Sequence, residues 1–312
     1  MNRVRRSALA LFAAALLGAC GGDDASSTDT SAPVEPTSSP STDPADSAPS
    51  EPAADAPSRI VSLSPTHTEM LFAIGAGEQV IAVDSLSNYP PEAAAVLTEL
   101  SAFEPNVEAI AAYEPDLVVI SDDFTGITEQ LAAVDIDVWS GPAPFDLDDV
   151  YAQIQELGTV TAHSAGADEL VGEMRAEVEA ILAGAPELEE PLTYYHELDD
   201  TYFSVSANTF VGQIYGLLGL RNITDLTEVD TDYPQLSAEF VVSADPDLIF
   251  LACTVGCGTT AESVAARPGW SAVTAVREGG VVALDDDVAS RWGPRVVELL
   301  RVAADAVAAH AT

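Results

Sequence analysis

The sequence predicts an α/β protein of two lobes, each a three-layer parallel β-sheet with helices on both faces, joined by a single long backbone helix. Three observations lead to this prediction. Short apolar segments alternate with helical patterns, one such pattern occurs twice, and a long amphipathic helix lies between the two copies. Alternation of strands and helices is typical of parallel sheets. The predicted boundaries are a first lobe over 58–161, the helix over 162–186 and a second lobe over 187–312.

The linking helix is predicted from its apolar spacing. Residues such as Val171, Met174, Val178 and Ile181 recur at the i, i+3, i+4, i+7 positions of one helical face, and acidic residues occupy the other positions. Gly184 and the proline two residues later mark its end. Taken alone, the pattern also suits an ordinary surface helix; the repeat on either side of it favours a spacer between two related lobes.

The repeat is the strongest internal signal. Residues 108–120 (EAIAAYEPDLVVI) and 239–251 (EFVVSADPDLIFL) share a glutamate and a Pro-Asp-Leu at the same offsets, each followed by an apolar strand. The segments TEMLFAIGAG and VGQIYGLLGL are both predicted helices that close on glycine. Two copies of one α/β unit bring the carboxyl ends of both sets of strands around a shared cleft.

The first lobe follows a strand–helix order. RIVSL is a predicted strand, and the helix after it begins at Ser64, with Thr66 and Glu69 spaced as a capping box, and ends at Gly75. VIAVD is a second strand, and the prolines of SNYPP keep that segment from being helical. The remaining predicted elements are the helix NVEAIAAYEP, the strand LVVIS, the helix ITEQLAAV and the strand IDVWS.

The second lobe repeats this order. LTYYHEL is a predicted strand and NTFVGQIYGLLGL a helix, followed by the helix SAEFVVSADP and the strand LIFLAC. A loop carries two cysteines, AESVAARPGW leads into a helix, and GGVVALD is a strand. DDDVASRWGPR is predicted as a loop before a closing amphipathic helix, VVELLRVAADAVAAH.

The N-terminus is predicted to be a targeting segment. Arg3, Arg5 and Arg6 precede an apolar stretch of 13 residues, which is shorter than the roughly 20 that cross a membrane. Residues 1–19 therefore form a predicted signal peptide. The end of this segment, Leu-Gly-Ala-Cys, resembles a bacterial lipobox, which implies that Cys20 is lipidated. Residues 20–57 are rich in Ser, Thr, Asp, Ala and Pro, and we expect a disordered tether to the extracytoplasmic face of the cell membrane.

Net charge limits the class of partner. The chain carries 51 acidic residues, 11 arginines and no lysine, for a formal charge of −40. Such a surface repels nucleic acid and anionic lipid headgroups, so the sequence excludes both as partners and leaves the lipid anchor as the only membrane contact. Solubility or adaptation to salt also explains most of this charge.

The two remaining cysteines are predicted to pair. Outside the cytoplasm, neighbouring thiols such as Cys253 and Cys257 tend to form a disulfide. A metal–thiolate pair is the alternative, although two thiolates without a third nearby ligand make a weak site.

Together, the motifs RIVSLSPTHTEMLFAIGAG, SNYPP, NVEAIAAYEPDLVVIS, NTFVGQIYGLLGLRNI and SRWGPR resemble the substrate-binding lipoproteins of bacterial ABC importers for ferric siderophores, haem or cobalamin. The resemblance implies a monomeric receptor without enzymatic activity or cofactor that docks on an ABC permease. In the family one carboxylate on each lobe pairs with permease arginines. Glu108 matches the first of these positions, whereas Gly216 stands at the second. Glu239, the repeat counterpart of Glu108, is predicted to substitute, with Asp225 and Glu228 as alternatives.

Ligand contacts are expected from loops at the strand ends, where aromatic walls and a few polar groups hold a large chelate. Arg291 is the most informative, because the matching family residue faces the cleft and a guanidinium binds oxygen anions; an ion pair with the neighbouring aspartates is the alternative. His67 and His196 offer a further alternative, a directly bound divalent metal. The predicted ligand-binding residues are Ser64, Thr66, His67, Tyr89, Phe103, Asp122, Phe124, Tyr195, His196, Glu197, Arg291, Trp292 and Arg295.

The predicted cargo is an iron–siderophore-type chelate. Cobalamin is the alternative within the family, although Leu86 and Ala102 stand where cobalamin receptors carry aromatics. Catalytic signals are weak, since the chain has no G-x-S-x-G and no Gly-rich phosphate loop. A secreted hydrolase acting through Ser64 is the remaining enzymatic alternative.

Overall fold

The computed structural model describes residues 56–227 and 231–311, and the strands in these ranges form two four-stranded sheets. The first sheet contains β1 (Ile60–Ser62), β2 (Val80–Val83), β3 (Leu117–Ile120) and β4 (Asp137–Ser140). The second contains β5 (Thr193–Glu197), β6 (Arg221–Asn222), β7 (Leu248–Leu251) and β8 (Val281–Ala283). All paired strands run parallel, in the orders β2-β1-β3-β4 and β6-β5-β7-β8. The two lobes therefore share one α/β topology, as predicted.

Helices connect these strands and flank the sheets. They are α1 (Pro65–Ala73), α2 (Val107–Ala111), α3 (Ile127–Ala132), α4 (Leu147–Val160), α5 (Ser164–Gly184), α6 (Phe210–Gly216), α7 (Ala238–Ala244), α8 (Ala261–Ala265), α9 (Thr274–Glu278), α10 (Asp286–Ser290) and α11 (Val296–His310). Short 3₁₀ turns occupy Gly77–Gln79, Pro91–Val96, Ile223–Leu226 and Trp270–Ala272.

The structure confirms the internal repeat. Helices α2 and α7 lead into β3 and β7, which take the third place in their sheets. Helices α1 and α6 follow the first strand of each lobe, and each is followed by a glycine with positive φ, 92° at Gly75 and 72° at Gly219. Glycine adopts this conformation at no steric cost, so both copies end the helix by the same means.

The linking helix α5 lies inside a core that the two lobes share. Its buried stripe consists of Ala167, Val171, Met174 and Ile181, and it packs against α4, α1 and α11. One continuous cluster of buried side chains runs from β1 through α5 to β5 and α11. Separate clusters fill the outer face of each sheet. The helix therefore joins the inner cores of both lobes rather than lying at an edge.

Two local predictions were wrong, and one helix was missed. Ser64, not Thr66, caps α1, because the Ser64 side chain accepts the backbone N–H of His67, while Glu69 turns to partners elsewhere. Residues 147–160, which received no assignment, form α4, capped by Asp146. The predicted loop before the closing helix contains the short helix α10, capped by Asp285.

None of the helices within 56–227 and 231–311 has the length and apolar character to cross a membrane. The predicted signal peptide, Cys20 and most of the predicted tether lie outside the described residues.

Candidate ligand-binding cleft

Exposed aromatic side chains gather in the loops after the strands. In the first lobe Phe103 is 77% exposed, Phe124 90% and Phe145 54%. In the second lobe Phe203 and Tyr233 are also exposed. Exposed aromatic side chains are unfavourable in water. A group of them at one edge of the sheets therefore indicates a binding site. Phe145, Phe203 and Tyr233 were missed by the sequence analysis, although each falls in a loop between a strand and the next helix.

The loops of the two lobes meet around a narrow cavity of about 210 Å³. Ala143, from the loop after β4, lines one side, and Tyr233, Arg291 and Trp292 line the other. Small-molecule sites usually measure about 300–1,000 Å³. The cavity is therefore smaller than a usual small-molecule site in this arrangement of the lobes.

Three predicted contacts of the second lobe are buried in its core instead. Tyr195 is fully buried and packs edge-on against Trp270, so it is not a wall of the cleft. Burial raises the pKa of the Tyr195 hydroxyl well above its ordinary value. His196 is also fully buried, with Nδ1 3.0 Å from the Tyr215 hydroxyl. Alternation along β5 explains this, because a central strand covered on both faces buries successive side chains.

Glu197, the third of these residues, forms a buried ion pair. Its carboxylate accepts two hydrogen bonds from the guanidinium of Arg267, at 2.5 and 2.7 Å. Arg267 also lies 4.7 Å from the centre of the Trp270 ring. Hydrogen bonding to the Glu197 carboxylate is the main cause of the raised pKa of Arg267. Glu197 is therefore a structural residue here, and its predicted ligand contact is corrected.

His67 and Ser64 belong to a buried relay that crosses between the lobes. The Ser64 hydroxyl lies 2.7 Å from His67 Nδ1, and His67 Nε2 lies 3.1 Å from Gln153 Oε1. The indole N–H of Trp292 donates to the same Gln153 oxygen at 3.2 Å. An amide oxygen accepts only, so His67 donates from Nε2 and accepts the Ser64 hydroxyl at Nδ1. Burial is the larger effect on His67 and lowers its pKa to about 4, so the ring is neutral.

This relay corrects the expectation that His67, Ser64 and the buried Thr66 contact ligand. It also bears on the metal alternative, in which a nitrogen of His67 would bind the ion. Both nitrogens of His67 have partners inside the protein, and the described part of the chain holds no group of three His, Cys, Asp or Glu placed to bind a metal ion.

Arg291 and Arg295 bind a buried carboxylate of the opposite lobe. Glu69, on α1, accepts from Arg291 at 2.9 Å and from Arg295 at 2.9 and 2.6 Å. The side chain of Glu69 is 2% exposed. Arg295 also lies 4.1 Å from the centre of the Tyr89 ring. Two guanidinium groups predicted to hold ligand are thus engaged across the lobe junction.

The other donors of Arg291 are occupied as well. It donates to Asn88 Oδ1 at 3.0 Å, to the Leu86 carbonyl at 3.1 Å and to Asp287 at 2.6 Å. Asn88 in turn donates to Asp287 at 2.8 Å. The ion pair with a neighbouring aspartate, which the sequence left open, is therefore present together with contacts that the sequence did not predict.

The remaining predicted ligand contacts are at least partly exposed to solvent. Asp122, Tyr89, Phe103 and Phe124 are exposed on first-lobe loops, and Trp292 is half-buried in the cavity wall. Of the predicted set, these five side chains remain accessible to a ligand.

Cys253 and Cys257 are joined by a disulfide with a Cα–Cα distance of 5.2 Å. The loop that they close is held by Asp286, which accepts from the backbone N–H of Thr254 at 2.7 Å and of Gly256 at 2.8 Å. Burial favours protonation of Asp286, but these bonds outweigh it and lower its pKa. The loop is thereby fixed to the segment that leads to Arg291.

The two predicted docking carboxylates occupy equivalent places. Glu108 is exposed in the first turn of α2, and Glu239 in the first turn of α7. Gly216 is exposed at the end of α6, with open space around it.

Known proteins match both the sequence and the fold. The chain is 31% identical over 248 residues to a cobalamin-binding protein of Halobacterium salinarum, covering 77% of this chain and 66% of that protein, just under two thirds of its length. It is 27% identical over 305 residues to YvrC, an uncharacterized ABC transporter substrate-binding lipoprotein of Bacillus subtilis, covering 95% and 94%. A possible iron-binding (periplasmic solute-binding) protein of Staphylococcus epidermidis has the same fold, with a TM-score of 0.70, 23% identity and coverage of 80% and 98%.

The family model for periplasmic binding proteins matches residues 60–288, which span both sheets and the helix between them. With this match, the twin topology and the cleft between the lobes, the chain belongs to the periplasmic binding protein family.

Proposed function

We propose that this protein is an extracytoplasmic solute-binding lipoprotein that captures a metal chelate between its lobes and delivers it to an ABC permease. The observation that carries the proposal is the set of exposed aromatic side chains on the strand-end loops of both lobes. Planar apolar side chains suit the broad face of a metal chelate. Family membership supplies the transport role.

Cobalamin is the first cargo candidate, because a relative that aligns over most of this chain is named for binding it. A ferric siderophore, the cargo that the sequence analysis favoured, is the second candidate. Binding involves no chemistry on the ligand. The protein acts as a monomer, held at the membrane by a lipid on Cys20, with Glu108 and Glu239 as the carboxylates that meet the permease.

The test is ligand binding by the chain from residue 21 onward, which retains the whole compact unit Glu51–Thr312. Tryptophan fluorescence and calorimetry would be run with cyanocobalamin and with ferric hydroxamates. We expect one class to bind with a Kd near or below about 1 μM. Phe124→Ala and Phe203→Ala, one on each lobe, should each weaken binding by roughly tenfold, the loss of about 1.4 kcal/mol of contact.

Val134→Ala is the matched control, since Val134 is equally apolar and 48% exposed but lies before β4, at the opposite edge of the sheet. Its affinity should equal that of the unmodified protein. If no chelate binds, or if all three variants bind alike, the aromatic cleft is not the binding site.

A further inference from the structure

Cations are scarce where the ligand is proposed to bind. The chain has no lysine, and within the described ranges three arginines contact groups at the carboxyl ends of the strands: Arg267, Arg291 and Arg295. The other arginines of these ranges lie at strand amino ends or on α5, α9 and α11; they are Arg59, Arg175, Arg221, Arg277 and Arg301.

Each of these three arginines already pairs with a carboxylate. Arg295 binds Glu69 through two nitrogens, and Arg267 binds Glu197 in the same bidentate way. Arg291 has four partners, two of them carboxylates. Its side chain is only 9% exposed. Nη1 and Nη2 of Arg291 each donate to one carboxylate and one neutral oxygen, so an anion that binds either nitrogen competes with these partners.

Displacement would be unfavourable because both main carboxylates are buried. Glu69 and Glu197 are 2% and 1% exposed. A ligand that took Arg267 would leave Glu197 without this ionic partner, and one that took Arg291 or Arg295 would remove one of the two arginine partners of Glu69. A buried carboxylate without a partner is strongly destabilised. A carboxylate or phosphate of the ligand would therefore compete with a partner that cannot escape to water.

The other charges near the cleft are negative or absent. Asp122 is exposed on the loop after β3, Asp285 caps α10 and Asp287 lies in the first turn of that helix. The buried rings of His67 and His196 are neutral at physiological pH, since burial lowers the pKa of each to about 4. The carboxylates at the rim thus repel an anionic ligand, and no arginine described at the strand ends lacks a carboxylate partner to compete with it.

From these contacts we infer that the cleft selects chelates without net negative charge, and that Glu69 is the residue that sets this selectivity by occupying Arg291 and Arg295. The inference rests on the proposed function and narrows its ligand class. Neutral corrinoids and neutral or cationic hydroxamate chelates fit; haem with its two propionates, catecholate chelates and citrate chelates do not.

The first experiment compares cyanocobalamin and ferrioxamine B with haemin and ferric enterobactin, using calorimetry on the chain from residue 21. We expect a neutral or cationic chelate to bind on the order of 100-fold tighter than either anionic one. Tight binding of an anionic chelate would overturn the inference while leaving the transport role intact. Failure of all four to bind would instead count against the proposed function.

The second experiment frees the arginines. Glu69→Gln removes the negative charge that pairs with the guanidinium groups of Arg291 and Arg295. It should raise affinity for haemin and ferric enterobactin by on the order of tenfold. Asp287→Asn, which alters a side chain 34% exposed, frees one nitrogen of Arg291 and should give a smaller gain even if Glu69→Gln folds poorly. Glu278→Gln makes the same charge change in an exposed pair with Arg277 at the opposite edge of the sheet, and should leave all affinities unchanged. If Asp287→Asn, Glu278→Gln and the unmodified protein bind anionic chelates with equal affinity, the ion pairs of Glu69 and its partners are not the cause of the selectivity.

Discussion

Buried ion pairs fix the positions of single side chains at the lobe junction and in the lobe cores. Glu197 was expected to face the ligand because it stands at a strand end, and Arg291 because the matching family residue faces the cleft. The structure instead pairs each with a group of opposite charge inside the protein. A buried ion pair contributes little over an apolar contact, but the loss of one partner is costly because the other charge remains buried.

Glu197→Gln should therefore lower the free energy of unfolding by about 3 kcal/mol, the usual loss when one partner of a buried pair is removed. Urea unfolding followed by circular dichroism measures this value. Glu278→Gln breaks the exposed pair with Arg277 and should cost under about 1 kcal/mol. Equal stability of the two variants would mean that Glu197 and Arg267 are not coupled in the folded protein.

Acid sensitivity follows from the two buried histidines. Burial lowers the pKa of His67 and of His196 from 6.5 to about 4. The unfolded chain therefore binds protons first as the pH falls, and each histidine costs up to roughly 3 kcal/mol of stability between pH 6.5 and pH 4. Above pH 6.5 this loss of stability is absent, and the full stability remains.

The measurement is the unfolding free energy between pH 4 and pH 8 for the protein and for His67→Gln with His196→Gln. The double variant should show a shallower fall below pH 6.5. Between pH 7 and pH 8 the imidazoles are neutral in both states, so the slopes of the two proteins should agree there. Parallel curves down to pH 4 would contradict the assignment.

At the scale of elements, close packing decides where α5 lies. Gly166 sits against α1, and a Cβ at this position would lie 2.2 Å from the carbonyl oxygen of Ile74. Gly172, on the same helix, has open space where its Cβ would be. The two glycines of this helix thus have opposite roles. Gly166 permits a close contact between helices, whereas Gly172 only lowers helix propensity.

Gly166→Ala should destabilise the protein by about 2 kcal/mol or more, because backbone atoms must shift to admit the methyl group. Gly172→Ala should stabilise it by about 0.5–1 kcal/mol, the usual gain in helix propensity. Thermal unfolding of both variants beside the unmodified protein gives the two signs. Two stabilised variants would mean that α5 does not approach α1 this closely.

Elements were predicted better than contacts. The repeat and the buried strands are local signals, and the structure confirms both. Helix α4 also carries local signals, a capping Asp146 and a helical apolar spacing, so the sequence was sufficient to identify it. The partners of Glu69 were beyond prediction, because Arg291 lies 222 residues away and no local pattern links a charge on one lobe to a charge on the other.

For the whole molecule, charge opposes the compact state. The formal charge of −40 comes from 51 acids against 11 arginines, and like charges confined to one surface repel. The Debye length falls from about 30 Å at 0.01 M salt to about 10 Å at 0.1 M, so salt removes most of this repulsion. The buried pairs of Glu69 and Glu197 are shielded from salt and keep their contribution.

The melting temperature should therefore rise by roughly 5 °C or more between 10 mM and 0.5 M NaCl, corresponding to a gain of about 2 kcal/mol. Most of the rise should occur below about 0.2 M, where the Debye length changes most. Choline chloride at equal ionic strength should give the same curve, because screening depends on ionic strength and not on the cation. A melting temperature that falls as salt is added would show that ion pairs, rather than repulsion between carboxylates, dominate the electrostatic free energy of this surface.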